Sequence, residues 1–335
     1  MQPRISAILG TRDEAELLDP AVTALLRAGV STVSIMDDGS TDGTAELVRR
    51  WERERPGVFA AASPRSLGAG LSLQGLLAFD GPLIGPVIRR DAPDWVMFCD
   101  SDEMLLCRGG PAALAAELAA QDVLEIPRYN AVPGPGGIDP ATLADPEALL
   151  GLPLVVRGQT LDRDRLAADP GARWILHRLP AKLLLRVAAA SGFGNSAHNV
   201  RPAPERAGQP LRRVRSRVLA MLHLPFTDYP RFRRKVRNIE DFLDRFGDLP
   251  PAWGWHWRHW LELDRAGRLA EEFARQCLDA EARAELEAAG VLAPAAAVLA
   301  GRLPPEAPPQ TDRATGQATG RATHQTAPPA DRSAG

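Results

Sequence analysis

Cysteine is scarce in this chain of 335 residues. Only Cys99, Cys107 and Cys277 occur, an odd number with no Cys-x-x-Cys pair, which excludes a disulfide framework or a zinc ribbon and fits a reducing compartment. Long apolar runs are also missing. No uninterrupted stretch approaches the roughly 18 residues of a membrane span, and the first residues lack the basic-then-apolar order of a signal peptide, so the expected location is the cytoplasm. An excess of one charge is absent too: 40 Lys and Arg against 42 Asp and Glu leave a net charge of -2, with no basic field for a nucleic-acid backbone. What is present is apolar bulk. A hydrophobic content of 45% supports a sizeable core, in one large domain or two smaller ones.

The first hundred residues alternate short apolar runs with amphipathic stretches, as expected of an α/β fold around a mostly parallel sheet. "ISAIL" (5–9), "STVSIM", "VFAAA" and "DWVMFC" (94–99) read as strands. A helix is expected to start at Asp19 as cap with Pro20 in its first position and to stop at Gly29. "AELVRRWERE" reads as a helix broken by Pro56-Gly57, "GAGLSLQGLLAF" as a weaker one, "PAALAAELAAQ" as another, and "VLEIPRYN" as a single strand. Residues 131 to about 180 lose any pattern. "AKLLLRVA" and "RVLAMLHLPF" follow as strands, "DYPRFRRKVRNIEDFLDRF" as an amphipathic helix, and 250 to about 300 as helical. The expected division is a sheet domain over 1–248, a helical extension over 249–302 and a disordered tail over 303–335, where Pro, Ala, Thr, Gln and Gly leave little to bury.

Two acidic clusters end strands. "MDDGSTDGT" (36–44) starts like an EF-hand loop, with Asp38, Ser40, Asp42 and Gly43 in register, but the twelfth position, where a bidentate Glu is needed, holds Arg49. Calcium is thereby disfavoured. Asp100-Ser101-Asp102 places two carboxylates where they can share a hard cation such as Mg²⁺ or Mn²⁺, whose shell substrate phosphates would complete. A lone Asp-x-Asp is more often a solvated turn. Two such clusters at the carboxyl ends of parallel strands can face one ligand.

Three segments in order, "TRDEAELL", "DDGSTDGT" and "DWVMFCDSDEML", resemble the family two glycosyltransferases of the GT-A fold, over about the first 110 residues. Their spacing is similar to the soluble bacterial branch with an Asp-x-Asp-Glu motif, whose later part would match "HNV" at His198, "MLHLPF" at His223 and "RFRRKVRN" at Lys235. The resemblance implies a GT-A fold and metal-dependent, inverting transfer of a sugar from a nucleotide-diphosphate donor, a UDP-sugar foremost, to an acceptor hydroxyl of a glycan, lipid or small molecule. It implies that Thr11, Arg12, Glu14, Asp38, Asp100 and Lys235 bind the nucleotide sugar, Asp38 accepting from the base. Asp100, Asp102 and His223 would hold Mn²⁺ or Mg²⁺. Asp13 departs from the family's usual Asn. A general base stays unnamed, with Asp162, Asp164 and Glu125 as candidates by position, and Asp102→Ala is expected to abolish turnover with the fold intact.

Other readings stay open. A nucleotidyltransferase is disfavoured because "LGTRDEAELL" has one glycine and no Lys; a non-catalytic carbohydrate- or nucleotide-binding protein of the same fold is not. "WGWHWRHWLEL" (253–263) holds four of the seven tryptophans and two of the six histidines. Core packing is its foremost reading. Peripheral membrane contact through Trp255 and Trp257, or a zinc pair at His256 and His259, are the alternatives.

Overall fold

A computed structural model of the chain describes residues 2–67, 72–169, 171–194, 197–246, 249 and 254–302. The chain divides after Leu303, and everything described below lies in the first unit. The tail expected over 303–335 lies outside the described residues.

The strands are β1 (Ile5–Thr11), β2 (Thr32–Asp37), β3 (Val58–Ala60), β4 (Trp95–Asp100), β5 (Glu103–Cys107), β6 (Val123–Ile126), β7 (Arg128–Asn130), β8 (Pro153–Val155), β9 (Lys182–Arg186), β10 (Ala190–Phe193), β11 (Val200–Pro202), β12 (Arg213–Arg215), β13 (Leu219–His223) and β14 (Leu292–Pro294). The helices are α1 (Ala15–Ala28), α2 (Thr44–Glu54), α3 (Leu73–Leu76), α4 (Ile84–Asp91), α5 (Gly110–Leu118), α6 (Pro140–Ala144), α7 (Pro146–Gly151), α8 (Arg163–Ala168), α9 (Tyr229–Arg245), α10 (Trp255–Arg265), α11 (Leu269–Gln276), α12 (Ala280–Ala288) and α13 (Ala295–Leu299).

The central sheet runs β12-β6-β9-β4-β1-β2-β3. β1, β2, β3 and β4 are parallel neighbours and β12 is parallel to β6, while β9 enters antiparallel between β4 and β6. This is the mostly parallel α/β sheet expected from the alternation. β1 is buried along its whole length, as a central parallel strand must be, and Leu17, Leu18, Val22 and Leu25 of α1 pack on one face of the sheet. Ile8, Val96, Leu183 and Leu185 turn to the other face, under α4. A second sheet, β5-β13-β7, leaves the first where β4 turns into β5.

Three local expectations are corrected. α1 starts at Ala15, with Pro20 inside it, because burial of Leu17 and Leu18 outweighs the missing N–H; Gly29 does end it, at φ 103°. "VLEIPRYN" is two strands in two sheets, split at Pro127, which offers no ladder donor. The helix expected over "GAGLSLQGLLAF" shrinks to the single turn α3, with 68–71 outside the described residues, and α4 forms where no helix was expected.

Candidate active site

Three strand ends meet at one place. The chain lays down β1, β2 and β3 in one direction and returns to β4 on the other side of β1, so the switch point lies between β1 and β4, the crevice where open α/β sheets bind ligands. β1 delivers Thr11 to Glu14 into it, β2 delivers Asp37 and Asp38, and β4 delivers Asp100 to Glu103.

Most carboxylates of the first loop are committed to the backbone. Asp37 accepts from the Ser40 amide (2.9 Å) and hydroxyl (2.6 Å). Asp42 accepts from the Thr44 amide (3.1 Å), the Thr44 hydroxyl (2.6 Å) and the Ala15 amide (3.1 Å), tying together the starts of α2 and α1. These bonds hold its carboxyl below the usual range against the opposing effect of burial. Asp13 stands at φ 53°, a conformation that Asp and Asn tolerate, and accepts from Thr41 N–H (2.6 Å) and Asn238 (3.0 Å). Both oxygens of Asp13 accept, a set that an Asn, with a single accepting oxygen, would fill only in part. Asp38 turns to α9, where Arg245 grips it with both terminal guanidinium nitrogens, one at 3.0 Å.

The second cluster is deeper. Asp102 is 1% exposed and Glu103 fully buried. Glu103 accepts from Arg128 (2.7 Å) and the Asp100 amide (3.0 Å), with Lys182 Nζ at 3.0 Å. Lys182 also donates to Asp100 (3.0 Å), whose side chain stays 48% exposed. Asp102 Oδ2 accepts from Arg231 (3.2 Å) and Lys235, and Arg231 reaches on to Glu14 at 2.5 Å. Four carboxylates, Glu14, Asp100, Asp102 and Glu103, interleave with four cations, Arg128, Lys182, Arg231 and Lys235. Burial pushes Asp102 up, yet Lys235, His223 and Arg231 outweigh it and hold the carboxyl well below its ordinary value. His223 is itself pushed down to about 3, chiefly by burial, so near neutral pH it is uncharged and the two cations do the holding.

His223 ends β13 and pairs in register with Glu103 of β5 and Asn130 of β7. Its Nε2 lies 3.7 Å from Asp102 Oδ2. α9 closes the crevice. Arg231, Arg234, Lys235, Asn238, Asp241 and Arg245 recur at helical spacing and meet Glu14, Glu16, Asp102, Asp13, Arg12 and Asp38 in turn, while Phe232, Val236 and Ile239 on its far face are buried.

A divalent ion would find donors here. Asp102 Oδ1 is buried without a hydrogen-bond partner, and so is Thr11 Oγ1. Among the described residues no three His, Cys, Asp or Glu side chains form a ready cage, and Asp100 turns to Lys182 rather than to Asp102. Mg²⁺ and Mn²⁺ are commonly held by one or two carboxylates plus substrate phosphates, so the donor set fits such an ion.

The family match falls on this part of the chain. Residues 6–106, from β1 into β5, match the model of the Glycosyl transferase family 2. No curated protein matches the chain. Among solved structures it is similar to a mannosyltransferase from Pyrobaculum calidifontis in complex with GDP-Man and Mn²⁺, at 20% identity and TM-score 0.36 over 90% of this chain and 80% of that one. It is also similar to glucosyl-3-phosphoglycerate synthase from Mycobacterium tuberculosis in complex with Mn²⁺, UDP and glucosyl-3-phosphoglycerate, at 16% identity and TM-score 0.26 over 38% and 44% of the two chains. Both likenesses are remote.

Thr11, Arg12, Glu14, Asp38, Asp100, Asp102, His223 and Lys235 are thus gathered at one crevice. His198 is held next to β9, its Nδ1 donating to the Ala181 carbonyl at 2.8 Å. The three carboxylates offered as general base stand in different settings. Asp162 caps α8 through the Arg165 amide (2.8 Å), Asp164 is exposed in its first turn, and Glu125 pairs with Arg213 at the sheet edge. His256 stacks on Trp174 with ring centroids 4.9 Å apart, and neither it nor His259 belongs to a group of three or more metal-ligating side chains among the described residues. The tryptophan segment packs. Trp260 is 3% exposed in an aromatic core with Trp174, Phe226, Phe232 and Phe273, and Trp255 and Trp257 lie half-buried against it. Trp253 is outside the described residues, and no helix among the described residues is long and apolar enough to cross a membrane.

Sequence reasoning missed Arg231, Lys182 and Asn130 and gave Glu103 no role beyond its place in the motif, all four being buried polar groups at the crevice. For Arg231 a signal existed, since it opens the polar stripe that runs through Lys235 at i+4.

Proposed function

We propose that this chain transfers a sugar from a nucleoside diphosphate donor, a UDP-sugar foremost, to an acceptor hydroxyl, with Mn²⁺ or Mg²⁺ at Asp102. The observation that carries it is the convergence, at the switch point, of an acceptor carboxylate (Asp38), a carboxylate with an unpartnered buried oxygen (Asp102) and two cations on α9 (Arg231 and Lys235). Sequence-distant charges are arranged there for a diphosphate.

In this reading Asp38 accepts from the base N–H after exchanging Arg245, and Thr11 and Arg12 line the nucleoside side. Asp102 and His223 would hold the ion, with Asp100 as a further candidate ligand. The bound ion would neutralise charge on the departing diphosphate. Lys235, already beside Asp102, can pivot on its four-carbon stem to a phosphate oxygen, whereas Arg231 is fixed by the Leu224 and Pro225 carbonyls and stays as a buried counter-charge. An inverting course would need an acceptor-side base. We assign residues 1–248 to this activity and 249–302 to a packing extension that completes the aromatic core.

A thermal-shift panel of nucleoside diphosphates, with and without Mn²⁺, tests the proposal, because a ligand that binds the folded state raises its melting temperature. A shift with UDP that needs metal is expected. A shift with no nucleotide under either condition would turn the assignment toward a binding protein that has kept the fold.

A further inference from the structure

Asn130 is 1% exposed at the end of β7 and belongs to no motif in the sequence. Its Nδ2 donates to the Ile175 carbonyl at 2.8 Å and to the His177 carbonyl at 3.4 Å. Carbonyls only accept, so the amide can sit one way round, with Oδ1 facing His223 Nδ1 at 2.8 Å. Oδ1 also only accepts. The imidazole must therefore carry its proton on Nδ1, and a neutral ring then leaves Nε2 bare, on the side of Asp102. Pairing of β13 with β7 sets the two residues abreast, the Ala131 amide donates to the His223 carbonyl at 2.9 Å, and Trp174 meets the ring edge-on, so the ring has little freedom to turn.

We propose that Asn130 is a positioning residue that locks His223 in the Nδ1–H tautomer and so presents its Nε2 lone pair to the divalent ion. The inference rests on the metal reading given above. A ligating imidazole is commonly held through its other nitrogen, and loss of such a partner typically weakens metal binding about 10- to 100-fold. The opposite tautomer would set two buried acceptors 2.8 Å apart.

Long-range ¹H–¹⁵N spectra of histidine-labelled, metal-free protein, with His223→Ala for assignment, read the tautomer directly. Wild type is expected to show His223 protonated on Nδ1. Asn130→Leu should release the ring to the Nε2–H form or a mixture and weaken Mn²⁺ binding in the presence of UDP, measured by electron paramagnetic resonance, about 10- to 100-fold. Asn130→Asp keeps an oxygen facing Nδ1 but loses the donation to the Ile175 and His177 carbonyls, so it should retain the Nδ1–H tautomer at a cost in stability. In a His223→Ala background Asn130→Leu should weaken Mn²⁺ no further, which a merely structural role would not produce. An Nε2–H ring in wild type, or unchanged Mn²⁺ affinity in Asn130→Leu, would overturn the proposal while leaving the metal reading in place. Absence of Mn²⁺ binding in wild type would overturn the metal reading itself, whatever the tautomer.

Discussion

Replacing Arg231 by Met tests whether the buried charge lattice holds the fold as well as the site. The guanidinium is fully buried, bridges Glu14 (2.5 Å) and Asp102 (3.2 Å), and donates to the carbonyls of Leu224 (3.1 Å) and Pro225 (3.3 Å). Removing one partner of a buried pair typically costs about 3–5 kcal/mol, because the other charge stays buried and uncompensated. Here Lys235 still reaches Asp102, lies 3.6 Å from Glu14, and the Ser101 hydroxyl still donates to Glu14, so the electrostatic loss falls at the low end. Two orphaned carbonyls add about 1 kcal/mol each. Roughly 5 kcal/mol results, a large share of the ~5–15 kcal/mol of an ordinary fold, and at about 2 °C per kcal/mol a fall of roughly 10 °C in Tm. Urea unfolding followed by fluorescence of the seven tryptophans reads it. Glu14→Gln in the Met background should recover part of the loss by removing the stranded charge. A Met variant within about 0.5 kcal/mol of wild type would refute the claim that these contacts are coupled and buried.

Asp102 carries the same lesson. It neutralises Arg231, so Asp102→Ala is expected to lose stability together with turnover, against the expectation of an intact fold; Asp102→Asn is the milder probe, and kcat should drop on the order of a thousandfold. Chelation should abolish transfer and Mn²⁺ should restore it, as followed by UDP release. Arg245→Ala should tighten uridine diphosphate binding by calorimetry roughly fivefold, the equivalent of one partly exposed ion pair of about 1 kcal/mol that no longer competes for Asp38. Burial depresses His177 to about 4 and His198 to about 3, so the unfolded chain takes up protons first as pH falls. Their contribution is complete above pH ~6.5 and is lost toward those values, about 2 kcal/mol each by pH 5, which denaturant midpoints at pH 7.5 and 5 will register.

The parallel strands and their acidic ends were legible because each signal is local. "ISAIL", "STVSIM" and "DWVMFC" are apolar runs closed by polar breakers, and the turns after them fix where the crevice lies. α1 was misplaced because Pro20 argues locally for a start, whereas burial of Leu17 and Leu18 is a tertiary effect. The partners inside the site could not be read. Arg231 meets Glu14 and Arg245 meets Asp38 across more than two hundred residues, and no periodicity encodes which carboxylate a cation on α9 will find. Asn130 hid for another reason: its role depends on two carbonyls of a patternless stretch and on the register of β7 against β13.

The interleaving of Glu14, Asp100, Asp102 and Glu103 with Arg128, Lys182, Arg231 and Lys235 makes the floor of the crevice electrically neutral before anything binds. In the proposed reaction a dication arriving alone would leave that floor doubly positive, and a diphosphate arriving alone would leave it negative, both where little water is at hand to screen them. Arriving together they nearly cancel. The two ligands should therefore each raise the other's affinity by the same factor, and the protein should behave toward them as toward one composite solute.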